Sequence, residues 1–292
     1  MNPKRRTRRR LAQFFEEAFW LTLMRLALLS VVIVLGWILA TLLLKGLPAI
    51  NWELISQPPQ GGYYLGGKGG ILNALLGSIY LAGGGTLLGL IFSLPVVFYL
   101  ATYLHHQSRQ AALIRLMLDV LWGIPSIVYG VFGFLIMLSL GLRASLLAGI
   151  ITLAFLELPI LIRGMDEFIR TTPEEVVQSS LAVGATPLET TLKVVSRQTL
   201  PGLITAVLLA FGRGIGDAAS VLFTAGYTDH IPTSLFEPAA SLPLAVFFQL
   251  GTPFPAVQQR AYASALVLTI IILFISLLGR WLVSHFNKFL LR

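Results

Sequence analysis

Residues 19–44 read FWLTLMRLALLSVVIVLGWILATLLL, 26 positions with a single charged side chain. A transmembrane helix needs about 20 mostly apolar residues, so this stretch is long enough to cross a bilayer, and it decides the class of the protein. Directly ahead of it stand Lys4, Arg5, Arg6, Arg8, Arg9 and Arg10, six of the chain's 21 basic residues. Cytoplasmic flanks of membrane helices carry an excess of Lys and Arg. Residues 1–18 therefore read as a basic cytoplasmic arm, and the net charge of +8 points to a membrane surface and not to nucleic acid. The apolar run is too long for a signal peptide and further spans follow it, so it reads as an uncleaved first helix.

The rest of the 292 residues extends the pattern: 56% are hydrophobic and 12% charged, against about 25% charged in soluble domains. So apolar a chain needs lipid as part of its solvent. Cysteine is absent, which excludes disulfides, iron–sulfur clusters and thiol catalysis. Six apolar segments are long enough to span: Phe19 to Leu44, Gly70 to Tyr103, Arg115 to Leu140, Ala144 to Ile162, Leu200 to Gly226 and Tyr262 to Phe286. Their connections place Arg109, Arg115, Arg170, Lys193 and Arg197 on the side of the N-terminal arm, and only Lys45, Lys68, Arg143 and Arg260 opposite. The expected protein is all-α, with six transmembrane helices and both termini inside: 19–69 the first helix and an external Gly-rich loop, 70–286 the core, 287–292 a cytoplasmic tail.

Two connections are long. The external one, 227–260, carries five prolines and an apolar Leu242 to Leu250 too short to cross, which suggests a re-entrant or surface-lying segment. The cytoplasmic one, 164–199, is the most polar part of the chain. Pro173 followed by Glu174 and Glu175 starts a helix, and Gly184, Ala185, Thr186 and Pro187 break it and start another, which gives two short helices at an angle.

No constellation for catalysis stands out. Gly62 to Gly69, GYYLGGKG, has the phosphate-loop spacing but ends in Gly69 where Ser or Thr must hold the metal, and it lies outside. His105, His106, His230 and His285 have no ligand spacing, and no cofactor or metal is expected. Gly212, Gly214 and Gly216 fall within a span, where they allow close helix packing or substrate approach. Arg213 beside them lies 12 residues past Pro201, a rise of about 18 Å that puts a charge near the bilayer midplane, where it costs several kcal/mol. Asp217, four positions on, would share its helical face and could neutralise it. The arginine is then either half of a structural ion pair or an anion contact in a water-filled pathway, and the second reading is preferred. Arg163, at the inner end of the fourth span, is either an ordinary anchor or a further anion contact, with Asp119 and Glu157 available to pair with the arginines.

Leu121 to Gly130, LWGIPSIVYG, Leu158 to Arg163, LPILIR, and Gly212 to Gly226, GRGIGDAASVLFTAG, resemble the PstA-type permeases of the phosphate-specific ABC importer. Gly69 to Tyr80, GGILNALLGSIY, and Leu242 to Phe248, LPLAVFF, share the likeness, which runs from about Gly69 to the C-terminus. The resemblance implies a type I ABC importer permease fold in a prokaryotic inner membrane. It also implies a second, PstC-type permease, two ATPase subunits inside and a phosphate-binding protein outside, with ATP hydrolysis in the partner subunits and alternating access as the mechanism. The family's ATPase-docking signature falls on Gln178, Ser179, Ser180 and Gly184, with the glycine kept and the acidic residue absent. Glu174, Glu175, Gln178, Gly184 and Pro187 are thereby expected to couple to the ATPase. Two family arginines important for phosphate passage correspond to Arg163 and Arg213, with Asp217 where Glu is common. Ala218, Ala219 and Ser220 also depart from the family pattern. The rival readings are an ABC permease for another anion or polar solute, and a stand-alone secondary transporter, which would show an internal repeat.

Overall fold

A computed structural model describes residues 3–62, 67–104 and 108–286, with the side chains of 3–12, 15 and 286 left aside. His105 and His106, the middle of the Gly62 to Gly69 loop, and the 287–292 tail lie outside the described residues. Among the described residues eleven α-helical segments follow in order: α1 Pro3–Gly46, α2 Trp52–Ser56, α3 Leu72–Thr102, α4 Arg109–Gly123, α5 Ser126–Ser139, α6 Leu146–Arg170, α7 Glu174–Ala182, α8 Pro187–Glu189, α9 Ser196–Gly216, α10 Leu242–Leu250 and α11 Pro255–Phe286. Among the described residues five helical stretches are long and apolar enough to cross a membrane, and a sixth span arises if the bent pair α4 and α5 counts as one.

Three spans depart from the sequence reading. The third is not a straight helix over Arg115 to Leu140: α4 and α5 meet at 93°. Pro125 has no N–H to continue the ladder, and it holds the preceding Ile124 in an extended conformation. The fourth runs on through Arg163 to Arg170, so the polar connection expected from residue 164 begins seven residues later. The fifth starts at Pro187, because α8, a π-helical stretch Thr190–Val195 and α9 form one continuous helical run to Gly216. The second short cytoplasmic helix is thus the root of a span. That span also stops ten residues before Gly226: Gly214 and Gly216 weaken the helix, Asp217 is extended, and its carboxylate accepts the Ser220 N–H at 2.8 Å.

The core is built where small residues let helices close. Along α3, Gly84, Gly85 and Gly89 face Ile150, Leu153 and Leu161 of α6, and α6 buries Leu153, Leu156, Glu157 and the run Pro159–Ile162 against α3 and α9. The first turn of α6 is satisfied from outside the helix, since the N–H groups of Ser145, Leu146 and Leu147 donate to the carbonyls of Thr224, Glu237 and Leu235 at 2.9, 2.7 and 2.8 Å. That backbone after α9 is non-helical, and Ser220, Val221, Thr224 and Ala225 in it are buried in protein, the setting in which irregular backbone is tolerated in a membrane protein. The expected external segment Leu242 to Leu250 is α10, buried at Leu242 to Ala245, with the Leu242 N–H donating to Ser78 Oγ at 2.7 Å. The helix α1 stands apart: it touches the bundle chiefly through α11, where Gly46 lies against the backbone of Tyr262 and the Lys45 ammonium sits over the Tyr262 ring.

At Gly77 a Cβ would fall on the Ala240 carbonyl oxygen. Gly77→Val is expected to destabilise the detergent-solubilised chain by about 1–3 kcal/mol through overpacking, read as a lowered unfolding midpoint. An unchanged midpoint would contradict this contact between α3 and the segment ahead of α10.

Candidate functional site

Charged residues in the middle of α4 and near the C-terminal end of α6 form a network. Arg115 on α4 donates to Asp166 on α6 from Nε at 2.7 Å and from Nη2 at 3.1 Å, a bidentate pair with both side chains nearly or fully buried. Arg163 donates from Nε to Asp119 at 2.7 Å, and its Nη1 lies 3.7 Å from Asp166 and 3.8 Å from Glu167. Arg163 thus clamps α4 to α6 with its charge compensated. Asp119 pairs as the sequence suggested. Glu157 does not: it is fully buried higher in α6, its carboxylate fills the place of a Cβ at Gly214, and Thr86 and Asp217 are its polar neighbours.

Arg213 has a different environment. It sits in the last turn of α9, where the helix dipole favours a cation, and its exposed side chain faces a groove of about 930 Å³ bounded by α9, α11, Trp122 of α4 and Ile160 of α6. Among the described residues no carboxylate lies within ion-pairing distance of it. The expected helical pairing with Asp217 is absent, because α9 ends between the two residues and Asp217 is engaged by Ser220. The structure does not bring Arg163 and Arg213 together, since Arg163 lies off this groove.

The glycine motif divides by task. Gly214 makes room for Glu157, Gly212 opens onto the groove with nothing within 4 Å of its Cβ position, and Gly216 meets only Ile272 of α11. Gly130 in LWGIPSIVYG receives the backbone of Ala219 and Ser220. The motif residues read from sequence therefore meet one another mainly as packing contacts.

The connection between α6 and α9 is compact. Helix α7 begins at Glu174 directly after Pro173, buries nothing, and is braced by Gln178 Nε2 donating to Glu174 at 3.1 Å. Gly184 has φ +92°, a left-handed conformation that reverses the chain. Thr186 and Glu189 then form a capping box around Pro187, and Ser180 and Thr190 hydroxyls lie 3.0 Å apart. This turn thrusts apolar side chains outward: Val183 is 86% exposed, with Leu181, Leu188 and Leu192 beside it. Sequence reading missed these four, although an apolar cluster around a glycine turn in the most polar segment was visible in it.

A family model for binding-protein-dependent transport system inner membrane components matches residues 85–292. The phosphate transport system permease protein PstA of Haemophilus influenzae is 33% identical over 251 residues, covering 86% of this chain and 88% of the relative. The chain belongs to this family, among the PstA-type permeases. The PstA protein of Xylella fastidiosa is 34% identical over 85% of both chains, and PstA 1 of Mycobacterium tuberculosis is 30% identical over 92% of this one and 88% of the relative. The fold is also that of a chain of the MetNI methionine ABC transporter in an inward-facing conformation, at a TM-score of 0.62 and 19% identity, over 74% of this PstA-type chain and 95% of the other. The type I importer permease architecture follows, with the chain an inner-membrane, multi-pass component.

Proposed function

We propose that the chain is the translocation subunit of an ATP-driven inorganic phosphate importer, orientated with both termini inside. It would work beside a second, PstC-type permease, two ATPase subunits and an external phosphate-binding protein. The observation that carries the reading is Arg213: a guanidinium with no carboxylate partner among the described residues, on a span, facing an open groove. A planar guanidinium offers paired N–H donors to a phosphate oxyanion, and the PstA relatives are named for phosphate. Asp217 shapes the turn after α9 in this reading, so it positions Arg213 by ending the helix. Arg163 acts at the inner mouth as a clamp between α4 and α6.

The helical run from Pro187 to Gly216 supplies the coupling. Its inner end is the exposed turn after Gly184, and Arg213 lies 26 residues farther on, about 39 Å along the helix. Movement of an ATPase seated on Glu174, Glu175, Gln178, Val183 and Leu188 is carried to the groove by one element, with the π stretch Thr190–Val195 as its compliant section. The test is ATP-driven uptake into proteoliposomes holding the complete transporter, with phosphate accumulated and sulfate excluded. Sulfate uptake in place of phosphate would assign the permease to another anion.

Two further outcomes follow. The purified chain without partners should hydrolyse no ATP, and turnover by this polypeptide alone would overturn the division of labour. Because the protein has no cysteine, single cysteines at Ala182 or Thr186 should crosslink to the ATPase, whereas one at Trp52, exposed at the other end of the bundle, should not. Equal crosslinking from both ends would refute this topology.

A further inference from the structure

The groove that holds Arg213 holds a second arginine. Arg280, on α11, lines the same groove together with Ser276 and Ser284, residues at four-position intervals that share one helix face. The two helices run antiparallel and in register there: Gly279 meets Leu208, and Gly216 meets Ile272. Arg213 is therefore level with about Ile275, five residues from Arg280, or about 7.5 Å along the axis, within the combined reach of two arginine side chains. The cations in the inner network are compensated, Arg115 by Asp166 and Arg163 by Asp119. Among the described residues no carboxylate lies within ion-pairing distance of Arg280 either, so two like charges face one space, which favours an anion between or beside them.

We infer that Arg213 and Arg280 form a two-guanidinium phosphate-group site, with Arg280 its inner half. This deepens the phosphate reading above and rests on it for the source of the phosphate. The ligand is either the travelling phosphate on its way to the cytoplasm or the headgroup phosphate of an anionic lipid. Ser276, one turn before Arg280, can donate its hydroxyl to the same ligand.

The test uses the complete transporter. In phosphatidylcholine vesicles Arg280→Gln is expected to lower phosphate uptake about tenfold at unchanged half-saturation by external phosphate, with Arg280→Lys, which keeps the charge but loses the fork, recovering part of it. Arg197→Gln, an exposed control off the groove, should stay within about twofold. That result assigns the site to travelling phosphate. A defect confined to phosphatidylglycerol vesicles, with less of that lipid retained by Arg280→Gln in native mass spectrometry, assigns it to a lipid phosphate. Unchanged uptake together with unchanged lipid retention overturns the site. A wild-type complex that imports no phosphate overturns the transport reading instead, and lipid retention then decides the site alone.

Discussion

Arg213→Gln is expected to reduce ATP-driven phosphate uptake by about two orders of magnitude, as loss of a charge-assisted contact to a desolvated anion does, while the complex still assembles. The second half of that expectation comes from the geometry. Arg213 faces the groove and pairs with no carboxylate among the described residues, so removing its charge strands no buried anion there, and a substitution of this kind costs within about 0.5 kcal/mol. Glutamine keeps much of the length and some hydrogen-bonding capacity, so a spacer role would survive the change. Arg213→Lys keeps the charge as a point and loses the fork, and should recover part of the uptake.

The double substitution Arg213→Gln with Asp217→Asn separates the two readings of this pair. If the residues neutralised one another, removing both charges would restore transport. Asp217 instead receives the Ser220 N–H and caps the turn after α9, so the double variant should transport no better than Arg213→Gln, with a further loss of stability from the weakened cap. Restored uptake in the double variant would show a packing ion pair and remove Arg213 from the pathway.

The spans and their approximate order were legible because a bilayer imposes about 20 apolar residues on any helix that crosses it, and a one-dimensional count detects that. Breaks inside the apolar runs were not legible by the same count, because they depend on backbone chemistry. Pro125 after Gly123 bends the third span, and Gly216 with Asp217 ends the fifth. Both signals stood in the sequence, yet hydropathy ranks Pro and Gly too mildly to register them. For the site, Arg213 stood out because a charge in an apolar run is conspicuous. Arg280 did not, since near the inner end of the last span it reads as an ordinary positive flank. Only the register of α9 against α11 places it in the groove of Arg213, about one and a half turns along. Arg115 and Asp166 lie 51 positions apart, and nothing local joins them.

That buried pair carries the largest expected effect on stability. Asp166→Asn removes the bidentate acceptor of Arg115 and weakens the hold on Arg163, whose Nη1 lies 3.7 Å from the same carboxylate. Breaking one partner of a buried pair costs about 3–5 kcal/mol, because the other charge stays largely shielded from water. The detergent-solubilised variant should show a much lower unfolding midpoint, with α4 parting from α6. Replacing both, Arg115→Met with Asp166→Leu, removes both charges and fills the space, and such swaps are neutral or stabilising in other buried pairs, so the midpoint should recover. Uptake then distinguishes two roles for the pair. Recovery of transport along with stability makes it scaffolding. Stable protein with lost transport means that α4 and α6 must be joined by a polar link that can yield and reform as the ATPases close, which the adjoining Arg163–Asp119 contact, half open to solvent at Asp119, is placed to share. A midpoint unmoved by Asp166→Asn would show that the pair contributes nothing to holding α4 against α6.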